Sequence, residues 1–204
     1  MISAFKLPYS LNIGGIDYEI RTNYEDILNL LIALNDPDFT KESKEVYSYI
    51  QTMLTLKIMF PEYKKIPKEH IEEALKKAYA FIDMGILDDG NKKQKIMDWK
   101  KDAAIFIPPI NKSLGYEIRN PNKETHWWTF LSAYMEIGES LFSNIIHIRN
   151  KKQKHKKLDK LEEEFYKENK NLIDLEKKSQ RSEEEKKNLD DYFYGYKKNK
   201  KASD

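Results

Sequence analysis

Apolar and polar residues alternate through Ser10-Leu11-Asn12-Ile13 and again through Ile16-Asp17-Tyr18-Glu19-Ile20, on either side of Gly14-Gly15. Alternation of period two turns one face of a strand inward, and a glycine pair supplies the positive φ that a two-residue turn needs. The pattern predicts a small β-hairpin. Two strands alone are marginal in water, so this hairpin should dock on helices.

Helical spacing then takes over. Asn23 is placed to cap a helix whose first turn holds Glu25 and Asp26, both favourable near the positive end of the helix dipole. Ile27, Leu30, Leu31 and Leu34 share one face, and Asp36-Pro37 ends the run. A second helix is expected after a cap at Thr40, with Val46, Tyr47, Ile50, Met53 and Leu54 spaced for burial before Phe60-Pro61 stops it. Pro67 opens a third, where its missing amide hydrogen costs nothing, and Gly85 suits a left-handed end. The stripe between them is Ile71, Leu75, Ala78, Tyr79 and Ile82.

Residues 86–96 form a polar linker. Asp98 can cap a short helix through Trp99, Ala103 and Phe106, which Pro108-Pro109 should break or sharply kink. A further helix is expected from about Lys123 to Glu136, carrying Trp127, Trp128, Phe130, Leu131 and Tyr134. Gly138 separates it from Leu141, Phe142, Ile145, Ile146 and Ile148. Beyond about Asn150 the apolar stripe thins to Leu158, Leu161, Phe165, Leu172 and Leu175, enough to lay one helix against something but not to build a core. Ser182 and Glu185 make a capping box for a last short helix through Leu189, Tyr192 and Phe193, and the Lys-rich end should be disordered. The fold class that follows is mainly α. A β-hairpin packs on a helical body over residues 1–149, and residues 150–204 form a charged helical arm.

Charge supports that division. Hydrophobic residues are 40% of the chain and charged residues 34%, so part of it must be solvated on most of its surface. Of 36 Lys+Arg and 34 Asp+Glu, 17 and 13 fall from Lys151 onward, leaving 19 and 21 for residues 1–150. The arm is dense in both signs, whereas a nucleic-acid arm would show a one-sided basic excess. The chain has no cysteine, which excludes disulfides, thiolate metal sites and cysteine nucleophiles. Met1 to Tyr9 lacks the pattern of a secretory signal, and no apolar run approaches the roughly 20 residues of a membrane helix.

Candidate chemistry is sparse. His70, His126, His147 and His155 have no metal-ligand spacing, and solvated or structural roles suit them better than catalysis. Gly14-Gly15 lacks the Gly-Lys-Ser/Thr of a phosphate loop, and no nucleophile elbow is present. No catalytic, cofactor-binding or metal-binding residue is expected, and the chain reads as non-enzymatic. The basic run from Arg149 to Lys157 can be a phosphate-contacting patch or, preferred here, the solvated start of an exposed helix offset by Glu162, Glu163 and Glu164. It has no interleaved aromatics for base stacking. His126-Trp127-Trp128 is the most unusual feature, because adjacent helical residues point about 100° apart. Both indoles can share a wide buried face, or one can meet a partner, as tryptophan often does at binding hot spots. The candidate partner-binding residues are Trp127, Trp128, Leu158, Leu161 and Phe165.

Several short motifs fall in a fixed order. They are Leu7-Pro8, Tyr18-Glu19-Ile20-Arg21-Thr22-Asn23-Tyr24, Asp36-Pro37 with Thr40, Asp98-Trp99-Lys100-Lys101-Asp102-Ala103, His126-Trp127-Trp128-Thr129-Phe130-Leu131, and the late Arg181-Ser182-Glu183-Glu184-Glu185. This set, covering nearly the whole chain, resembles a family of tail assembly chaperones encoded in the tail module of long-tailed phages and prophages of Gram-positive bacteria. The resemblance implies a protein that binds the tape measure protein, helps recruit tail-tube subunits, works in the host cytoplasm and is absent from the mature virion. Self-association or pairing with a second tail chaperone goes with it; the residues themselves call for no cofactor and no membrane, and argue against nucleic acid as the partner. A structural tail-completion or connector protein is the alternative, with a nucleic-acid-binding regulator behind it. Relatives usually continue a helix with small residues where this chain has Pro108-Pro109.

Overall fold

A computed structural model describes residues 5–36, 43–84 and 96–175. Strands β1 (Ser10–Ile13) and β2 (Ile16–Glu19) pair antiparallel with Ile13 opposite Ile16. Gly14 and Gly15 turn between them at φ +58° and +83°, as the sequence predicts. The hairpin presents Leu11, Ile13 and Tyr18 to the core. A Cβ at Gly14 would also lie 2.6 Å from Nε2 of His70, so that ring would have to shift. Glu73 accepts from the Gly14 amide at 3.0 Å, and Lys77 donates to the Asn12 carbonyl, so helix α3 (Ile71–Ile82) grips the turn.

Eight α-helices lie among the described residues, so the chain is mainly α with an N-terminal hairpin on a helical body. Helix α1 (Tyr24–Leu34) begins at Asn23, whose side chain accepts from the Glu25 amide as expected. Helix α2 (Lys44–Met59) is capped by Ser43 rather than Thr40, which lies outside the described residues. Its last carbonyls, those of Lys57 and Ile58, accept from the Arg21 guanidinium at 2.8 Å, satisfying groups a helix end leaves open. Helix α3 ends with a left-handed residue, but that residue is Met84 at φ +55°; Gly85 lies outside the described residues.

Helix α4 (Ala103–Leu114) corrects a sequence expectation. Pro108 and Pro109 lie inside it and do not end it. Each proline removes a donor, leaving the carbonyls of Ala104 and Ile105 without their helical partners. Ala104 is exposed and Ile105 half-buried, while Phe106, Ile107 and Ile110 are buried on both sides of the pair. Burial on the inner face outweighs the lost bonds. The helix stops at Gly115, left-handed at φ +73°.

Helix α5 (Trp127–Met135) starts four residues later than the expected Lys123, because His126 is its cap. Helix α6 (Leu141–Gln153) opens with a Ser140/Ser143 capping box. Helices α7 (Lys160–Glu168) and α8 (Lys170–Ile173) are the described part of the arm. The main core joins the hairpin to α1 through α6 around an aromatic stack, in which Phe130 lies 5.0 Å from Tyr24 and 5.4 Å from Trp127, centroid to centroid. A separate small cluster of Ile145, Ile148 and Ile173 holds the arm. The capping box at Ser182, the last short helix and the expected C-terminal disorder all fall outside the described residues.

Candidate functional site

The sequence motifs meet in space. The start of α1 and the start of α5 lie side by side: Asn23 and His126 form an isolated antiparallel bridge, Tyr24 N–H donates to the Thr125 carbonyl at 3.0 Å, and Trp127 N–H donates to the Thr22 carbonyl at 2.6 Å. Two helix starts thus satisfy each other's open amides. His126 adds two bonds. Its Nδ1 accepts from the Trp128 amide at 3.0 Å, which requires the proton on Nε2, and Nε2 donates to the Pro8 carbonyl at 3.0 Å. Burial lowers the His126 pKa, partly opposed by the Pro8 bond, and keeps the ring in the neutral form this geometry uses.

Trp127 and Trp128 are both buried. Their indole N–H groups donate to the carbonyls of Ile82 and Phe81, each at 2.8 Å. Those are carbonyls of the last turn of α3, which have no partner within the helix. The tandem tryptophans therefore fill the core and cap α3 together, which explains why neighbours about 100° apart can both point inward. Neither indole lies on the surface of this chain.

Arg149 is a site residue that reading by motif missed. It is buried, and all five of its donors are used. Nη1 and Nη2 meet the two oxygens of Asp102 at 2.7 and 2.8 Å, Nη1 also reaches the Ile96 carbonyl, and Nε and Nη2 bind the carbonyls of Ile173 and Leu172. A planar guanidinium suits this fork. Asp102 accepts further from the Asp98 amide at 2.8 Å. One side chain thus joins the entry to α4, the end of α6 and the arm. The signal was present: Phe142, Ile145 and Arg149 share one helical face, and a charge on an apolar stripe asks for a buried counter-charge.

Around this centre, Lys152 donates to Asp174 at 2.6 Å and lies over the Tyr166 ring, and Tyr166 donates to the other Asp174 oxygen at 2.8 Å. Burial raises the Asp174 pKa, but the bonds from Lys152 and Tyr166 outweigh it and hold the carboxyl below its usual value. Glu162 accepts from Lys151, from the Asp159 amide and from His147, and is held down to about 2, chiefly by Lys151.

Of the other sequence-predicted site residues, Leu158 and Phe165 are half-buried against Ile145, Ile148 and Ile173. Leu161 projects outward, 77% exposed, among Lys160, Glu163 and Glu164. The structure therefore brings Leu158 and Phe165 together, turns Leu161 away and places both tryptophans elsewhere. Among the described residues, no group of three or more His, Asp or Glu side chains could hold a metal ion, and no helix is long and apolar enough to cross a membrane.

The fold and these joints define a mainly helical protein whose motif residues act as internal connectors. The chain belongs to a bacteriophage protein family: the family model described as Bacteriophage Gp15 protein matches residues 4–175. The match takes in the body and the described arm together. Comparison with curated proteins and with solved structures found no match.

Proposed function

We propose that this protein is a tail assembly chaperone, which binds the tape measure protein, helps recruit tail-tube subunits and leaves before the virion is complete. Membership of a bacteriophage family across body and arm is the observation that carries the reading. The arm supports it physically: α7 carries an outward Leu161 flanked by Lys160 and by Glu162, Glu163 and Glu164, the chemistry of a helix that touches an apolar client without losing solubility. A client helix would meet Leu161, while Phe165 and the preceding Leu158 stay packed on the isoleucine cluster.

Co-expression with the tape measure protein tests the proposal. The expected result is a soluble complex that co-purifies, and an insoluble client when this chain is omitted. A client that stays soluble alone and never binds this chain would refute it. Mass spectrometry of purified virions separates the chaperone from a structural connector, because only the connector remains in the particle.

A further inference from the structure

The turn between α6 and α7 is built without glycine or proline. From Leu141 to Glu168 the sequence has no glycine and no proline. Helix α6 nonetheless stops in a Schellman arrangement, with the Lys156 amide bonded to the Lys151 carbonyl at 2.9 Å and the His155 amide to the Lys152 carbonyl at 3.1 Å. The left-handed position, which glycine normally fills, is His155 at φ +52°. The apolar contact that usually accompanies the motif is replaced by Lys151 and Lys156. Lys154, Lys156 and Lys157 crowd the same exposed turn. The Asp159/Glu162 capping box marks the start of α7, and the bend is braced by Lys151 and His147 on Glu162, by Phe165 and Ile173 on the isoleucine cluster, and by the carbonyls of Leu172 and Ile173 on Arg149.

We infer that α6 and α7 can straighten into one helix, and that two copies of this chain then exchange arms. The straightened segment, Leu141 to Glu168, would be roughly 40 Å long. It would carry Phe165 and Ile173 away from their own body and leave the Arg149 donors and the face of Ile145 and Ile148 open. The segment that fits that face is the arm seen on it, so a second copy's arm restores the contacts on that face by identity, while the Schellman bonds and the Asp159/Glu162 capping box of the bend are given up. The exchanged dimer keeps the Arg149 bonds, relieves the left-handed histidine and gains helical hydrogen bonds across residues 154–159. This inference goes beyond the proposed function and needs no client protein.

The chain has no cysteine of its own, so two single variants report exchange. Lys152→Cys and Asp174→Cys place a thiol on the body and on the arm, at positions paired in the folded chain. The two full-length proteins are mixed at high concentration and treated with a short bis-maleimide. Exchange predicts a covalent heterodimer of one Lys152→Cys chain with one Asp174→Cys chain. His155→Gly favours the bent form and should lower heterodimer yield by about fivefold or more. Asp159→Ala removes the cap of α7 while suiting a helix interior, so it should raise the yield. Both positions are exposed, and near-ultraviolet circular dichroism confirms that each variant folds. A chain that stays monomeric at every concentration, cross-links only between like positions, or gives equal yields in all three backgrounds would overturn the inference.

Discussion

The body and the arm are held by different means. In the body, helix starts and ends satisfy one another inside an aromatic core: backbone bridges join α1 to α5, and two indoles cap α3. In the arm, three buried isoleucines carry the apolar contact, and one guanidinium with a ring of ion pairs supplies the rest. Buried apolar area scales with stabilisation, whereas exposed ion pairs contribute little. The arm should therefore open at lower cost than the body, with Arg149 as the bond that couples them.

The largest effects should fall where the two regions differ most. Phe130→Ala removes the ring that stacks on Tyr24 and Trp127 and should cost about 3–5 kcal/mol, seen as a single lowered denaturation midpoint for the whole fold. Arg149→Met should cost a similar amount, about 3–5 kcal/mol, because it leaves Asp102 buried without its counter-charge. The distribution differs: hydrogen exchange should show residues 158–175 losing protection first in Arg149→Met and together with the body in Phe130→Ala. Adding Asp102→Asn to Arg149→Met should recover part of the loss. Equal protection of arm and body in both variants would erase the distinction.

Trp127→Phe should have a smaller effect, about 1–3 kcal/mol, since it keeps most of the ring but withdraws the donor from the Ile82 carbonyl. Urea denaturation measures it. A loss no larger than for a surface substitution would mean that capping α3 is not what the tandem tryptophans do. Leu161→Asp, on the exposed side of the arm, should change stability by less than about 0.5 kcal/mol. The same substitution should weaken capture of the tape measure protein, if α7 is the client-binding helix.

The contrast between regions also explains what the sequence could disclose. The hairpin, the Asn23 cap and α6 were legible because a turn pair, a cap residue and a 3.6-residue stripe are local signals, whereas α3 was legible as a helix but starts at Ile71 rather than Pro67 and buries Ala74 and Phe81 with Tyr79 exposed. The proline pair misled because tertiary burial of Phe106, Ile107 and Ile110 overrides a local penalty. His126 was misplaced inside a helix because a histidine cap lies outside the usual Ser, Thr, Asp and Asn set. The link between Arg149 and Asp102 spans 47 residues, and neither residue alone identifies the other. The arm stripe was visible, yet nothing local revealed that Phe165 faces inward while Leu161 faces out.

Acid should narrow the difference between body and arm. His126 has a pKa lowered by burial, so its folded value lies below the unfolded value of about 6.5. Its contribution is complete above that unfolded value and declines as pH falls toward the folded one, because the unfolded chain takes the proton more readily. Protonation also removes the Nδ1 acceptor from the Trp128 amide, a helix cap worth about 1 kcal/mol. Glu162 and Asp174 also have lowered values, but theirs start from the carboxylate range, so their contributions hold through mild acid and fade only below about 4.5. Below about pH 6.5, then, and while the carboxylates of the arm stay charged, the α1–α5 joint should loosen with the arm's ion pairs intact. His126→Asn, which can still accept from the Trp128 amide but does not titrate, should flatten the stability profile in that window. If wild type and His126→Asn show the same slope there, the neutral ring is not what holds the body's joint.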